Sequence, residues 1–437
     1  MNKKQVIVLW IIAAALVVTL AVVRARLSDS PEASTKFSRG DQLAADLDPN
    51  QIQKVVISGA DNTTTLVKGA DKWTVAERQD YSADLPRLGR AVDELLNIEA
   101  VQAYEAGPKY DPRFGMNKES EAAADHGLHL DFLGEGGESL LKVSLGKESS
   151  EPPQTSDPMA MMNRPQPGRY LRVSTDPESI YVITGSLRDF EANPAAWLNK
   201  DFLKVSKIKS ITLRAPDDKD FEPWTVMREN ATDALSLEGL GDNEELQTSA
   251  VNPLGNLFAN LRFSDVVEAG LLESDGDKAN ARQAIITTFE GFTYTLNLTP
   301  KKAAEKLSED DFNPGAENYF LTVTVNAELA QEREKKPDES EEEAKAADEQ
   351  FAAEKTRLEK KLATEQSYQG RTYELTKWSL NALLKARGDL AQTKEEAPGA
   401  TPSGGASVVS PPIQIPLAPP AATEEADPSG SPANGGE

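Results

Sequence analysis

Two stretches of this chain, about 150 residues apart, pass through the same order of structural signals, and any fold must accommodate that repetition. Lys72-Trp73-Thr74-Val75 and Pro223-Trp224-Thr225-Val226 mark the two copies. Before each lies an alternating run, Val55-Val56-Ile57-Ser58 in the first and Ile208-Lys209-Ser210-Ile211-Thr212-Leu213 in the second. After each, the spacing predicts a helix. Leu85, Leu88, Val92, Leu95 and Leu96 share one face behind Asp84 as cap and Pro86 in the first turn; Leu254, Leu257, Phe258 and Leu261 follow Asn252-Pro253. Strand pairs continue at Leu128–Phe132 and Leu140–Leu145, matched by Ala284–Phe289 and Thr293–Leu298, with hairpin turns at Gly134–Gly137 and Glu290-Gly291. Tyr170–Val173 and Ile180–Ile183 correspond to Phe320–Val323 and Thr372–Leu375, each pair leading to a short helical stretch that holds Trp197 or Trp378. Trp73 and Trp224 are expected in the core, because each sits in a strand-like run at the same place in its copy.

The expected fold class is α+β: two tandem repeats of a mainly antiparallel sheet module with helices on one face, after an N-terminal transmembrane helix. The modules span residues 52–204 and 205–392. Ahead of them the apolar run Val6–Val23, interrupted only by Thr19, is long enough to cross a bilayer at about 1.5 Å per residue. It runs into Arg24-Ala25-Arg26-Leu27 rather than a small-residue cleavage site, so residues 1–27 are expected to remain as an anchor, with 28–51 as a linker. That places the bulk of the chain on the extracytoplasmic, periplasmic side of the inner membrane. Residues 393–437, rich in Pro, Gly, Ala and Ser, are expected to be a disordered tail.

The copies differ most between their last two strands. The link is Ser174–Ser179 in the first and Asn326–Gly370 in the second, where Glu, Lys and Ala dominate. This composition predicts a helical insertion over 327–369, interrupted by Pro337, with Ala344, Ala347, Phe351, Leu358 and Leu362 along a narrow near-heptad seam of coiled-coil type. A solvated excursion and a helix that docks on a partner both fit this pattern. Phe351, Leu358 and Leu362 are the candidate partner-binding residues of that helix. Met159, Met161 and Met162, in the Pro-rich loop Glu151–Gly168, are the other candidates, since thioethers adapt to varied surfaces.

Composition excludes several chemistries. Acidic side chains number 71 against 47 basic, a net charge of −24 that is the wrong sign for nucleic acid. No cysteine is present, which removes disulfides, thiolate metal sites and thiol nucleophiles. His126 and His129, the only histidines, lie three apart across Gly127 and fall on opposite faces of a strand, so they are expected to be structural. The methionine cluster is read as a flexible loop rather than a copper site, and Asp217-Asp218-Lys219-Asp220, Asp275-Gly276-Asp277 and Glu309-Asp310-Asp311 lack the full calcium-loop pattern. No nucleophile elbow or phosphate loop occurs, and Gly146-Lys147 is followed by Glu148. No catalytic, cofactor or metal residue is assigned, and the chain is not expected to be an enzyme. The alternative is an envelope hydrolase acting on carbohydrate through paired carboxylates between the two modules, a pair that only spatial separation can identify.

The ordered blocks resemble a bacterial family known as domain-of-unknown-function family 4340. The residues that carry the resemblance are Lys72–Val75 with Ala83-Asp84 and the helix to Leu96, then Lys109-Tyr110-Asp111-Pro112-Arg113-Phe114-Gly115-Met116. Gly146-Lys147, Tyr170–Val173 and Ile180–Ile183 continue it. The resemblance implies a single-span protein with an extracytoplasmic body, similar in setting to accessory subunits of gliding-motility-type ABC transport systems. Permease and ATPase subunits would then be its partners, and its function that of a membrane-anchored binding or scaffold protein. No catalytic residue is implied.

Overall fold

Period-two alternation becomes two large antiparallel sheets in the computed structural model, which describes residues 17–19, 31–34, 37–149, 168–259, 261–302, 318–335 and 339–393. The first sheet contains β1 (Glu32–Ala33), β2 (Lys54–Ser58), β3 (Thr63–Lys68), β4 (Trp73–Val75) and β5 (Tyr81–Ser82). It continues with β6 (Ala100–Glu105), β7 (Leu128–Leu133), β8 (Ser139–Glu148), β9 (Arg169–Val173) and β10 (Asp176–Ile183). Their spatial order is β1-β6-β10-β9-β8-β7-β2-β3-β4-β5.

In the second half lie β11 (Ile208–Arg214), β12 (Trp224–Met227), β13 (Ser236–Leu237), β14 (Glu244–Leu246) and β15 (Asp265–Val267). After them come β16 (Arg282–Thr288), β17 (Phe292–Pro300), β18 (Asn318–Ala327), β19 (Thr372–Thr376) and β20 (Ala391–Thr393). Eight of these form the sheet β13-β12-β11-β16-β17-β18-β19-β15, and β14 pairs with β20. The six-strand run β2-β7-β8-β9-β10-β6 therefore has a counterpart of identical connectivity in β11-β16-β17-β18-β19-β15. In both, the strand after the helical segment crosses to the far side of the sheet.

The Trp-Thr-Val triplets do not fall at equivalent places. Trp224 opens β12, which pairs directly with β11, whereas Trp73 opens β4, one strand further out beyond β3. Trp224 is buried and its indole N–H donates to the Lys385 carbonyl at 2.8 Å; Trp73 is only half-buried against the core. A shared tripeptide marked a repeat whose true correspondence lies in strand order.

The expected fold class is corrected in one respect. Among the described residues no helix is long and apolar enough to cross a membrane. The run expected to span, Val6–Val23, lies outside the described residues except for Val17–Thr19, and so does the tail 394–437. The longest described helix, Glu341–Gln366, is charged along most of its length. Part of the segment expected to be a linker is built into the fold, because Ala44 and Leu47, three apart, are apolar enough to bury, and β1 pairs with β6.

Helix α1 (Leu85–Leu96) begins where expected, with the Asp84 carboxylate accepting from the Arg87 N–H at 2.9 Å. Leu88, Ala91, Val92 and Leu95 are buried, while Leu85 at its first turn faces solvent. The corresponding segment of the second module is a single α-turn, Thr248–Val251, running into the 3-10 helix Asn252–Ala259 that contains Pro253 and Gly255. One continuous apolar core runs from Ala44 to Ala391 through both modules. At the junction Tyr81 meets Phe263 and Tyr373 edge-on, and Phe202 lies 4.6 Å from the Tyr373 ring and 5.2 Å from Phe263. Arg78 clamps Asp265 with two hydrogen bonds of 2.7 and 2.9 Å, and Gln79, held at φ 56°, donates to the Val267 carbonyl.

Candidate functional site

At one end of the first sheet, sequence blocks far apart in the chain close on one another. Phe114 stacks edge-on against Tyr170 at 4.8 Å, and the buried Arg172 guanidinium pairs with Asp111 at 2.6 Å while donating to the Ala106 carbonyl at 2.8 Å. Gly146 is pressed against the Phe114 carbonyl, where a Cβ would lie 2.2 Å from the oxygen. Gly127, at φ 76°, is wedged between the carbonyls of Gly115 and Leu145. These contacts fix the end of β8 and the start of β9.

In front of them opens a cleft of about 610 Å³, within the range of small-ligand sites. Its walls are the β2–β3 turn at Gly59–Asn62, the start of β7, the end of β8 and the connection after β10. Ala60, Ala124, Leu128 and Phe190 supply apolar surface. Arg188 is paired with Glu148 at 3.1 Å, and Glu191 is taken by Arg87 at 2.6 Å. Arg169 donates from Nε to the Gly146 carbonyl at 2.7 Å and from Nη1 to the Ser186 carbonyl at 3.0 Å. Burial pulls its guanidinium below the ordinary value. Among the described residues neither its Nη2, nor Lys147, nor Asp61 has a protein partner. The groups left open are two cations and one anion.

The second module repeats this corner in a different state. A cleft of about 390 Å³ lies at the end of β17, the starts of β16 and β18, and the connection after β19. Its cations are all engaged: Lys301 with Glu374 at 3.2 Å, Arg282 with Asp218 at 3.0 Å, and Lys302 with the Ser274 carbonyl at 2.8 Å.

Of the residues expected to bind a partner, Leu358 and Leu362 pack on the chain's own core and Phe351 is half-buried on the same helix. Helix α2 (Glu341–Gln366) lies against β18, fastened by Glu290 in the β16–β17 turn. The Glu290 side chain is only 6% exposed and receives Lys361 at 2.9 Å, Arg357 at 2.8 Å and Lys207 at 3.3 Å. Burial raises its carboxyl, but the hydrogen bonds from Lys361, Arg357 and Lys207 outweigh that and hold it at about 2. Towards the helix N-terminus the preceding connection is tied to the helix, Gln331 accepting from Lys355 at 2.8 Å and Arg333 pairing with Glu339 and Asp348. Of the near-heptad seam, Leu358 and Leu362 thus pack on this chain itself. Met159, Met161 and Met162 lie outside the described residues.

The histidines meet, with ring centroids 5.3 Å apart, but both nitrogens of His129 are engaged, Nδ1 with Ser144 Oγ and Nε2 with the His126 carbonyl. Burial, with the nearby Lys118 charge, lowers its pKa to about 4. At the junction, where a carboxylate pair would serve hydrolysis, Asp265 is committed to Arg78 and Glu365 is buried, accepting from the Lys204 N–H at 3.1 Å. Lys147 and Arg169 were missed as site residues in the sequence. Gly146-Lys147 stood out only as part of a family block and as an incomplete phosphate loop, and nothing local marks Arg169 as its neighbour.

The family model described as "Domain of unknown function (DUF4340)" matches residues 73–284, from β4 to the first strands of the second sheet, and so includes most of the larger cleft. No curated protein and no solved structure matches the chain.

Proposed function

We propose, on the premise that the chain belongs to the DUF4340 family, that it is a binding or scaffold protein and an accessory subunit of an ABC-type transport system. In this reading it works on the extracytoplasmic side, and its contacts are with permease or ATPase subunits. The observation that supports a binding role is the larger cleft. Its open groups, Lys147 and Arg169 with Asp61 opposite them, are mounted on a braced sheet corner, an arrangement suited to holding a ligand. The transport setting comes from the family resemblance.

The test is affinity purification of the tagged full-length chain from solubilised membranes of its native host, with mass spectrometry of what accompanies it. Permease and ATPase subunits recovered in amounts comparable to the bait are the expected result. Their absence at every detergent and salt condition in which the bait stays folded would overturn the proposal.

A further inference from the structure

The two clefts occupy the same corner of topologically equivalent six-strand runs, and both are lined by cations. In the second module those cations are neutralised from within: Glu374 on β19 reaches Lys301, and Asp218 reaches Arg282. In the first, the carboxylates that pair are spent on Arg188 and Arg87, and Lys147 and Arg169, both lining the cavity, leave an ammonium and Nη2 without a partner among the described residues. Set against Asp61, these leave an excess of one positive charge, in a chain whose net charge is −24. An open guanidinium edge and an ammonium above a short apolar wall match a single carboxylate carried on a small hydrocarbon body. A dianion would face Asp61 with its second charge uncompensated.

We propose that the cleft between the β2–β3 turn and the end of β8 binds a small organic monocarboxylate, whose carboxylate is held by Lys147 and Arg169 and whose apolar part lies on Leu128 and Phe190. The second-module cleft is its self-neutralised counterpart. This assignment rests on reading the chain as a binding protein, yet it is tested separately from it. Recovery of partners without ligand binding would sink the cleft assignment alone, and ligand binding without partners would sink the accessory-subunit reading alone.

The experiment is saturation-transfer NMR of the full-length protein with sodium hexanoate, hexylamine and hexyl phosphate. Hexanoate is expected to receive saturation and hexylamine none. Lys147→Gln, at an exposed residue with no partner among the described residues, should leave the fold intact and weaken hexanoate about tenfold, the loss of one charge-assisted hydrogen bond. Asp61→Asn should tighten it, and Lys302→Gln in the second cleft should leave it unchanged. Absence of transfer to hexanoate, an unaltered affinity in the Lys147 variant, or tighter binding of hexyl phosphate than hexanoate would each overturn the assignment.

Discussion

An alanine at position 146 would set its Cβ 2.2 Å from the Phe114 carbonyl oxygen, backbone that cannot swing aside as a side chain could. Gly146→Ala is therefore expected to cost about 2 kcal/mol or more, measured by urea unfolding of the full chain. The tryptophans give the opposite lesson. Trp197 is 0% exposed, donates to the Glu191 carbonyl at 2.7 Å and lies under the Arg87 guanidinium, whereas Trp378 is 86% exposed. Replacing Trp197 by alanine should cost about 3–5 kcal/mol, and replacing Trp378 should shift stability by no more than about 0.5 kcal/mol. Their sequence settings did not separate them, because burial at a strand's exit depends on which distant segment returns over it. The spacing of His126 and His129 misled, because His126 ends a helical turn rather than lying on the strand and its ring meets that of His129; the cost of His129 at acid pH was not readable either. Its folded pKa of about 4 lies below the unfolded value, so the stability it allows is complete above the ordinary histidine value. That stability is lost as pH falls towards 4, and His129→Gln should flatten the dependence in that window when unfolding free energy is measured against pH.

Helix α2 illustrates what an amphipathic pattern can and cannot say. Ala344, Ala347, Phe351, Leu358 and Leu362 were legible as a seam, and the capping box formed by Ser340 and Glu343 agrees with a helix starting there. What fastens the helix was not legible, since Glu290, Lys207 and the 328–335 connection are remote in sequence or lack any periodic signal. Glu290 is the fastening point. Glu290→Gln should loosen the C-terminal half of the helix and cost about 2 kcal/mol, since it removes the buried negative charge that Lys361, Arg357 and Lys207 share. Hydrogen exchange of residues 355–366 would show it as faster exchange confined to that half. Because the folded carboxyl titrates near 2, below its unfolded value, this contribution is present above the ordinary glutamate range and disappears as pH falls from there towards 2.

At the scale of the whole molecule, the repeat was legible as an order of elements, and strand order within each sheet was not. A sequence lists β6 before β7 and β15 before β16; only the sheet shows both crossing to the far side, beside β10 and β19. The junction was equally hidden, because Tyr81, Phe202, Phe263 and Tyr373 come from four separate segments and share no local pattern. A core continuous through both modules implies a shared unfolding transition for the two. Phe263→Ala should lower stability by about 3 kcal/mol while calorimetry still records one peak. Two separable peaks in the wild-type protein would contradict that continuity.

The cleft at Lys147 and Arg169 has a kinetic consequence. The field of a strongly anionic molecule repels an approaching anion at long range, although the last few ångströms favour it. Added salt should then quicken the arrival of a carboxylate while weakening its final grip, so that association and dissociation rates rise together. A site that draws its ligand in by long-range attraction would show association slowing instead.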